Sequence, residues 1–453
     1  MPRRSCKLTF LIILVSIVPT FAADWKAGLA KTPITPQKPL WLGGYGARTH
    51  PSEGTLQELY ARALVLEDET GNQAALVTTD VLGIPAGLAS SIAQRAQEQY
   101  GLSRDRLLLS STHTHAGPVL RANLAIAYSM TDEESAQVNA YTAQFEDKII
   151  QLIGIALENL QPARLSFGRT EVTFGVNRRV KKKDRYVIGV NRGGPVDHEV
   201  PFLVVDGEEG NLRGLVFSYA CHNTTIPARV YHFHGDYAGT AQAWLEYRYP
   251  GSVAFFMMGC GADANPYPRG TVKLADEHGQ RLARTVDKSL TGPLRTVQGP
   301  LKTAFEVFPV AFSTTPSRET LQALLYGDDG ARQRHARQML KILDQQGQLP
   351  NEYPYPLQVW QFGNDLTLVA MAGEVVVDYN LRLKQELGAD KLWVTAYNND
   401  VFAYLPSLRV LQEGGYEADY SMIYYGHPAP FAPSIEETVI NKVHELVKKV
   451  RSQ

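Results

Sequence analysis

Leu107-Leu108-Leu109-Ser110-Ser111-Thr112-His113-Thr114-His115-Ala116-Gly117-Pro118 is an apolar strand that runs straight into two histidines and then a turn. Alternate residues of a strand share a face, so the spacing predicts that His113 and His115 point the same way at a strand end. Two imidazoles so placed make half of a metal site, or one metal ligand plus a base. A pair of surface histidines is the plainer alternative.

The same arrangement recurs along the chain. Leu215–Ala220 is an apolar run that ends in Cys221-His222-Asn223-Thr224. Leu366–Met371 ends in Ala372-Gly373-Glu374, and Trp393–Ala396 leads into Tyr397-Asn398-Asn399-Asp400. Further strands are predicted at Ala63–Leu66, Ala74–Thr79, Phe202–Val205, Val253–Met258 and Leu357–Phe362, each rich in β-favouring residues. Turns at Asp206–Asn211 and Gly363–Asp365 join neighbouring runs as hairpins, so the sheet is mixed. Helices interleave. Thr131 and Glu134 form a capping box ahead of Val138, Tyr141, Phe145, Ile149 and Leu152 at helical spacing. A last helix carries Ile435, Val439, Val443, Leu446 and Val450 on one face, and Ala331–Leu343 reads as a polar surface helix. The fold class is therefore α/β: one large domain, with mixed β-sheet flanked by helices and the site at strand ends. Two histidines and one glutamate with an open position suit catalytic zinc. Taken singly, Glu374 could serve as a helix N-terminal carboxylate and His222 as a buried structural ring.

Composition narrows the function classes. The 453 residues are 44% hydrophobic and 20% charged, with a formal net charge of -1. That balance leaves no electrostatic footprint for nucleic acid and no polybasic case for membrane-surface binding. Arg3, Arg4 and Lys7 precede a short apolar run, Leu8–Val18, and small residues at Thr20, Ala22 and Ala23. Residues 1–23 thus read as a secretory signal peptide cut before Asp24, which implies a secreted or periplasmic protein with no membrane span left after cleavage. Cleavage removes Cys6 and leaves Cys221 and Cys260, which either pair at the rim of the site or stay buried as free thiols. Both follow apolar strands, so both are expected near the site and not as ligands.

Over most of residues 24–453 the sequence resembles the neutral, non-lysosomal ceramidases. The resemblance rests on Leu59-Tyr60-Ala61-Arg62-Ala63, the His113 segment, Gly175-Val176-Asn177-Arg178, Cys221-His222, Gly373-Glu374-Val375 and the stretch Asn399–Tyr416. It implies that His113, His222, Glu374 and Tyr404 bind Zn2+, and that His115, Arg178 and Tyr416 act around the scissile amide. On that reading His115 exchanges a proton with water and the leaving amine, while Arg178 and Tyr416 donate to the oxyanion. His232 and His234 form a second H-x-H, read as a loop near the site and not as a second metal centre. Asp80 could hold a ligand imidazole or cap the turn at Gly83-Ile84-Pro85.

Two departures bear on substrate. Ala264, in Gly261-Ala262-Asp263-Ala264-Asn265-Pro266, stands where the family has a serine. A zinc-water mechanism survives that change, but recognition of a ceramide hydroxyl is weakened. Members also carry a C-terminal β-sandwich domain, which is not expected within residues 24–453. The function implied is hydrolysis of an N-acyl amide, in ceramide or a related acyl-amine lipid. A zinc amidohydrolase for a non-lipid N-acyl substrate and a non-catalytic exported metal-binding protein are the rivals. His115 and Arg178 argue against the second rival, because a metal clamp needs neither.

Overall fold

The computed structural model describes residues 24–452 apart from Ala122 and Ala125. The expected leader, residues 1–23 with Cys6, lies outside the described residues. Along the chain run β1 (Trp25–Pro33), β2 (Tyr60–Asp68), β3 (Gln73–Thr79), helix α1 (Ala86–Tyr100), β4 (Leu107–Ser111), helix α2 (Asp132–Glu158) and β5 (Gln161–Glu171). A hairpin of β6 (Gly175–Lys182) and β7 (Arg185–Asn191) precedes β8 (Glu199–Gly207), β9 (Leu212–Tyr219), α3 (Asp236–Arg248), β10 (Val253–Met258), β11 (Ala264–Pro266) and α4 (Val272–Ser289). The last part holds β12 (Leu301–Ala311), α5 (Gly330–Gln346), β13 (Glu352–Phe362), β14 (Leu366–Met371), β15 (Glu374–Val375), α6 (Val377–Leu387), β16 (Leu392–Thr395), β17 (Tyr404–Leu405) and α7 (Ile435–Ser452).

These strands build a nine-stranded sheet in the order β10-β9-β8-β5-β1-β2-β3-β4, with Arg295–Val297 added beside β5. A four-stranded sheet, β12-β13-β14-β16, forms a second layer. Both are mixed as expected: β3–β4, β9–β10 and β14–β16 pair in parallel, while the predicted hairpins β8–β9 and β13–β14 pair antiparallel.

Alternation along the strands sorts side chains into layers. Leu64, Leu76, Leu108, Val216 and Phe255 of the large sheet meet Trp360, Phe362, Leu368 and Trp393 of the small one in an apolar core. The opposite face of the large sheet, through Val65, Val77 and Leu109, packs on Ile92 of α1 and Phe145, Ile149 and Ile153 of α2. Tyr237, Ala241 and Leu245 of α3 cover Phe217 and Phe256 on that same face, and α7 covers the far face of the small sheet through Val439 and Val443. The capping box of Thr131 and Glu134 is present at the start of α2. Helix α5 is only partly the surface helix its composition suggests, since Ala336 and Met339 are buried against Leu321 and Leu349 and His335 is buried with its Nε2 at the His427 carbonyl.

The loops that follow β4, β9 and β14 converge on one rim. They are stitched together there. Thr114 bridges Asn223, Ser110 bridges Asn398, and the Asn399 side chain ties Leu109 N–H to Gln358. Asp400 closes this stitching: its carbonyl accepts from Gly373 N–H and its carboxyl from the Tyr353 hydroxyl at 2.5 Å.

Burial raises the Asp400 carboxyl to about 7. The native chain therefore holds this proton up to about pH 7, while an unfolded Asp loses it near 3.9. Between those values the folded state binds more protons, so this group's contribution to stability is full below pH 4 and is lost as pH rises to 7. The expected result is that Asp400→Asn gains on the native chain across that window, by at most ~1.4 kcal/mol per pH unit, and levels off above it. Urea melts of both proteins at several pH values read the difference. A difference that is flat with pH would show that Asp400 is ionised in the fold.

Candidate active site

The site lies where the strand-end expectation puts it, but His113 gets there by a different route. Strand β4 stops at Ser111, and His113 sits at φ 56°, a left-handed conformation uncommon outside glycine. Simple alternation therefore does not hold through this segment. The backbone turns instead, and the His113 and His115 rings meet edge to face at 4.8 Å. Tyr397 and Asn399, at φ 60° and 62°, carry the same conformation on the facing loop. Such a concentration of unfavourable backbone is found where geometry is fixed for function.

His113 Nδ1 lies 2.6 Å from the Leu82 carbonyl and His222 Nδ1 lies 3.0 Å from the Gly261 carbonyl. A carbonyl only accepts, so each Nδ1 carries the hydrogen and each Nε2 presents a lone pair. Those two Nε2 atoms converge on one carboxylate oxygen, Glu374 Oε2, at 3.2 Å and 3.0 Å. Burial pushes the His222 imidazole down to about 4, so it is neutral at pH 7. Burial works against the Glu374 carboxylate, and the Tyr425 hydroxyl donates to its other oxygen at 2.5 Å. Lone pairs and an anion thus face one another, a donor set that a divalent metal fits. Tyr404, beside Glu374 in the parallel β15–β17 pair, brings its hydroxyl to 3.3 Å from His222 Nε2. The nitrogens of His113, His115 and His222 also lie within 4.8 Å of one another, a buried group that could hold a metal.

His115 Nε2 is 3.1 Å from His113 Nε2, while its Nδ1 is buried without a partner. Burial, with His113 next to it, keeps this ring well below the ordinary imidazole pKa. Gly44, at φ +94°, passes so close that a Cβ there would lie 2.3 Å from His115 Nδ1. Tyr45 then sets its ring edge-on to His115 at 4.8 Å.

Arg178 is buried and does not line the cavity. Its Nε donates to Glu417 at 2.7 Å and its Nη2 to the Tyr404 hydroxyl at 3.0 Å. It reaches the centre through Tyr404, so the geometry favours positioning over direct contact with a substrate. Tyr416 does face the cavity, with its ring 5.4 Å from Tyr404. That cavity has a volume of about 250 Å3, lined by His113, His115, Glu374, Tyr404 and Tyr416 together with Tyr45, Leu124, Ile188, Tyr424 and Tyr425.

Several expectations are settled by contacts. Asp80 neither holds an imidazole nor caps the following turn. Its oxygens accept from Arg62, the Tyr60 amide and Gln242, and the Leu82 carbonyl does the orienting of His113. His234 is structural: its Nδ1 accepts from Asp236 N–H and its carbonyl from Thr114. Cys221 and Cys260 are free and buried in one apolar core, and burial pushes both thiols up. Ala264 is buried outside the cavity lining, and its carbonyl accepts from His222 N–H.

Sequence reasoning missed three participants. Tyr425 donates to Glu374 Oε1 at 2.5 Å. Glu417 lies between Arg178 and Arg179 and pairs with both, while Glu413 also pairs with Arg179. Tyr45 borders the base; its setting in Gly43-Gly44-Tyr45-Gly46 was the available signal, since an aromatic among glycines marks close backbone approach.

Residues 25–260 match the family model described as neutral/alkaline non-lysosomal ceramidase, N-terminal. A neutral ceramidase of Drosophila pseudoobscura pseudoobscura is 33% identical over 117 residues, which are 25% of this chain and 17% of that protein. Neutral ceramidase A of Dictyostelium discoideum is 27% identical over 232 residues, 46% of this chain and 31% of that one. The matched stretches thus span less than a third of those curated relatives. In fold, a crystal structure of neutral ceramidase from Pseudomonas aeruginosa aligns with a TM-score of 0.72 at 20% identity, covering 94% of this chain and 74% of that one. A ceramidase solved in complex with C2 aligns at 0.74 and 18%, over 95% and 76%. With a family match over more than half its length, and with that family's fold across nearly all of it, this chain belongs to the neutral/alkaline non-lysosomal ceramidases.

Proposed function

We propose that the chain hydrolyses the amide bond of ceramide or a related N-acyl amine lipid with one zinc ion, giving a fatty acid and an amine. The observation that carries this is the convergence of His113 Nε2 and His222 Nε2 on Glu374 Oε2 at the floor of the tyrosine-lined cavity. His113, His222, Glu374 and the Tyr404 hydroxyl hold the metal, which when bound supplies a Lewis acid and brings the acidity of water near pH 7.

The remaining chemistry belongs to the chain. His115 Nε2 accepts the proton that water gives up as its oxygen bonds to the acyl carbon. The C–N bond then breaks, and the same proton passes to the departing amine nitrogen. The Tyr416 hydroxyl donates to the oxygen on which negative charge develops. Arg178 keeps the Tyr404 hydroxyl in place, and Glu417 in turn fixes Arg178. Residues 24–453 act as one catalytic unit, exported by the leader at 1–23. No helix among the described residues is long and apolar enough to cross a membrane.

The cavity volume supports one qualification of substrate. About 250 Å3 is below the roughly 300–1,000 Å3 typical of sites that enclose a drug-sized ligand. It accommodates the amide and its first carbons, and the tails of a lipid must leave through the mouth. A smaller N-acyl substrate fits the same space, which keeps a non-lipid amidohydrolase as the second reading. Metal analysis of the purified protein together with an amidase screen across acyl amines tests both.

Hydroxyl recognition is expected to be weak, because Ala264 offers no hydroxyl and lies outside the cavity lining. The kcat/KM for ceramide should exceed that for a matched N-acyl amine lacking the sphingoid hydroxyls by less than about a hundredfold, short of what a site built on hydroxyl hydrogen bonds achieves. A larger ratio would mean that another polar residue reads the head group.

A further inference from the structure

We infer that the β6–β7 hairpin is a docking element for an anionic lipid surface, set so that the mouth of the cavity opens against the bilayer. The inference deepens the lipid-amide reading of the site and rests on it.

The hairpin joins the site to solvent. Its base carries Asn177, Arg178 and Arg179, and it shares a three-stranded sheet with β11. Ile188 lines the cavity, yet it is 49% exposed, and Val190, two residues on, is 50% exposed. Both stand on the outer strand of that sheet, so these neighbouring apolar side chains form one exposed apolar segment that starts at the cavity mouth. Beyond them the tip reads Lys181-Lys182-Lys183-Asp184-Arg185, four cations and one acid, all exposed. Lys183, at φ 53°, forms the turn with Asp184 and projects the tip. The ion pairs of this hairpin are made at its base, by Arg178 and Arg179 with Glu413 and Glu417. The four tip cations are left in solvent.

The chain-wide charge of -1 conceals this cluster, which is why composition alone argued against a polybasic surface. A basic tip beside an exposed apolar segment is complementary to a surface of acidic headgroups over hydrocarbon. Each lysine near such a surface contributes about fivefold in binding, and each half-exposed aliphatic side chain adds several-fold when buried. Ile188 belongs to both the segment and the cavity wall, so a bilayer held by the tip faces the opening through which a lipid's tails must pass.

Flotation of the full chain with vesicles of phosphatidylcholine, alone or mixed with phosphatidylglycerol, tests this without any turnover. The expected result is binding to the mixed vesicles only, lost at high salt. Replacing Lys181, Lys182 and Lys183 together by Gln should weaken that binding by on the order of a hundredfold, and Val190→Ser by roughly threefold to tenfold. Both variants should cleave a water-soluble short-chain N-acyl amide as the native chain does. They should lose activity only when the substrate is embedded in mixed vesicles. Native-like vesicle binding by the triple variant, or no preference for phosphatidylglycerol, would overturn the inference. So would self-association of the native chain that Val190→Ser abolishes, because the segment would then be an interface between copies. If vesicles bind as expected but no amide is cleaved, the docking element stands and the proposed reaction fails.

Discussion

Glu374→Ala is expected to lose the metal and the activity together. In the native chain one carboxylate oxygen lies within 3.2 Å of two imidazole nitrogens, and Tyr425 fixes the other oxygen. This is the one anion at the centre. Without it, two neutral imidazoles and a phenol must hold a divalent cation in a buried place, where an uncompensated charge is strongly disfavoured. Zinc content after dialysis should fall from about one per chain to a trace. Turnover should fall at least ~10⁴-fold, beyond the ~10²–10³-fold that follows loss of a single oxyanion donor. Glu374→Gln keeps the shape and removes the charge, so it should also lose metal while holding the fold. His222→Ala is the companion measurement: full zinc occupancy in that variant would exclude His222 as a ligand and with it the proposed set.

How far the site could be read from sequence follows from what strands do and what loops do. An apolar run ending in a polar cluster announces a strand end, and three such runs, at Leu107, Leu215 and Leu366, carry His113, His222 and Glu374. Strands β10 and β14 begin and end where their apolar runs do, and β4 continues past Leu109 through Ser110 and Ser111. Strands β5, β6, β7 and β12 were not legible, because charged, polar or turn-forming residues interrupt the apolar positions of each. Their pairing is settled by partners far along the chain. The four-stranded layer as a separate sheet was hidden for the same reason, since Trp360, Phe362 and Leu368 read as core without saying which core. Within the site, Tyr425 and Glu417 touch Glu374 and Arg178 from 51 and 239 residues away. Local spacing holds no trace of contacts at that range. The left-handed turn at His113 was equally out of reach, because neither neighbour is a glycine or proline that would announce it.

His115→Ala is expected to keep the metal and lose most of the turnover. The ring stands beside the donor set with its Nε2 3.1 Å from His113 Nε2, but it has no contact with Glu374 like those of His113 and His222. Its place is fixed from behind by Gly44 and from the side by Tyr45. That is how a group held for proton transfer is supported, with its working nitrogen aimed at the donor set and its approach angle set by packing. Removing it should leave zinc near one per chain and lower kcat by ~10²–10⁴-fold, the usual range for general acid–base catalysis. The leaving group gives a sharper reading than the rate alone. An alkyl amine cannot depart without a proton, whereas a strongly electron-poor anilide can. The defect of His115→Ala should therefore be largest for the alkyl amide and shrink by at least about tenfold for the activated anilide. An equal defect on both substrates would deny His115 the role of proton donor to the amine. Loss of zinc in the same variant would move His115 into the ligand set, making the three-imidazole group, whose nitrogens lie within 4.8 Å of one another, the true metal site.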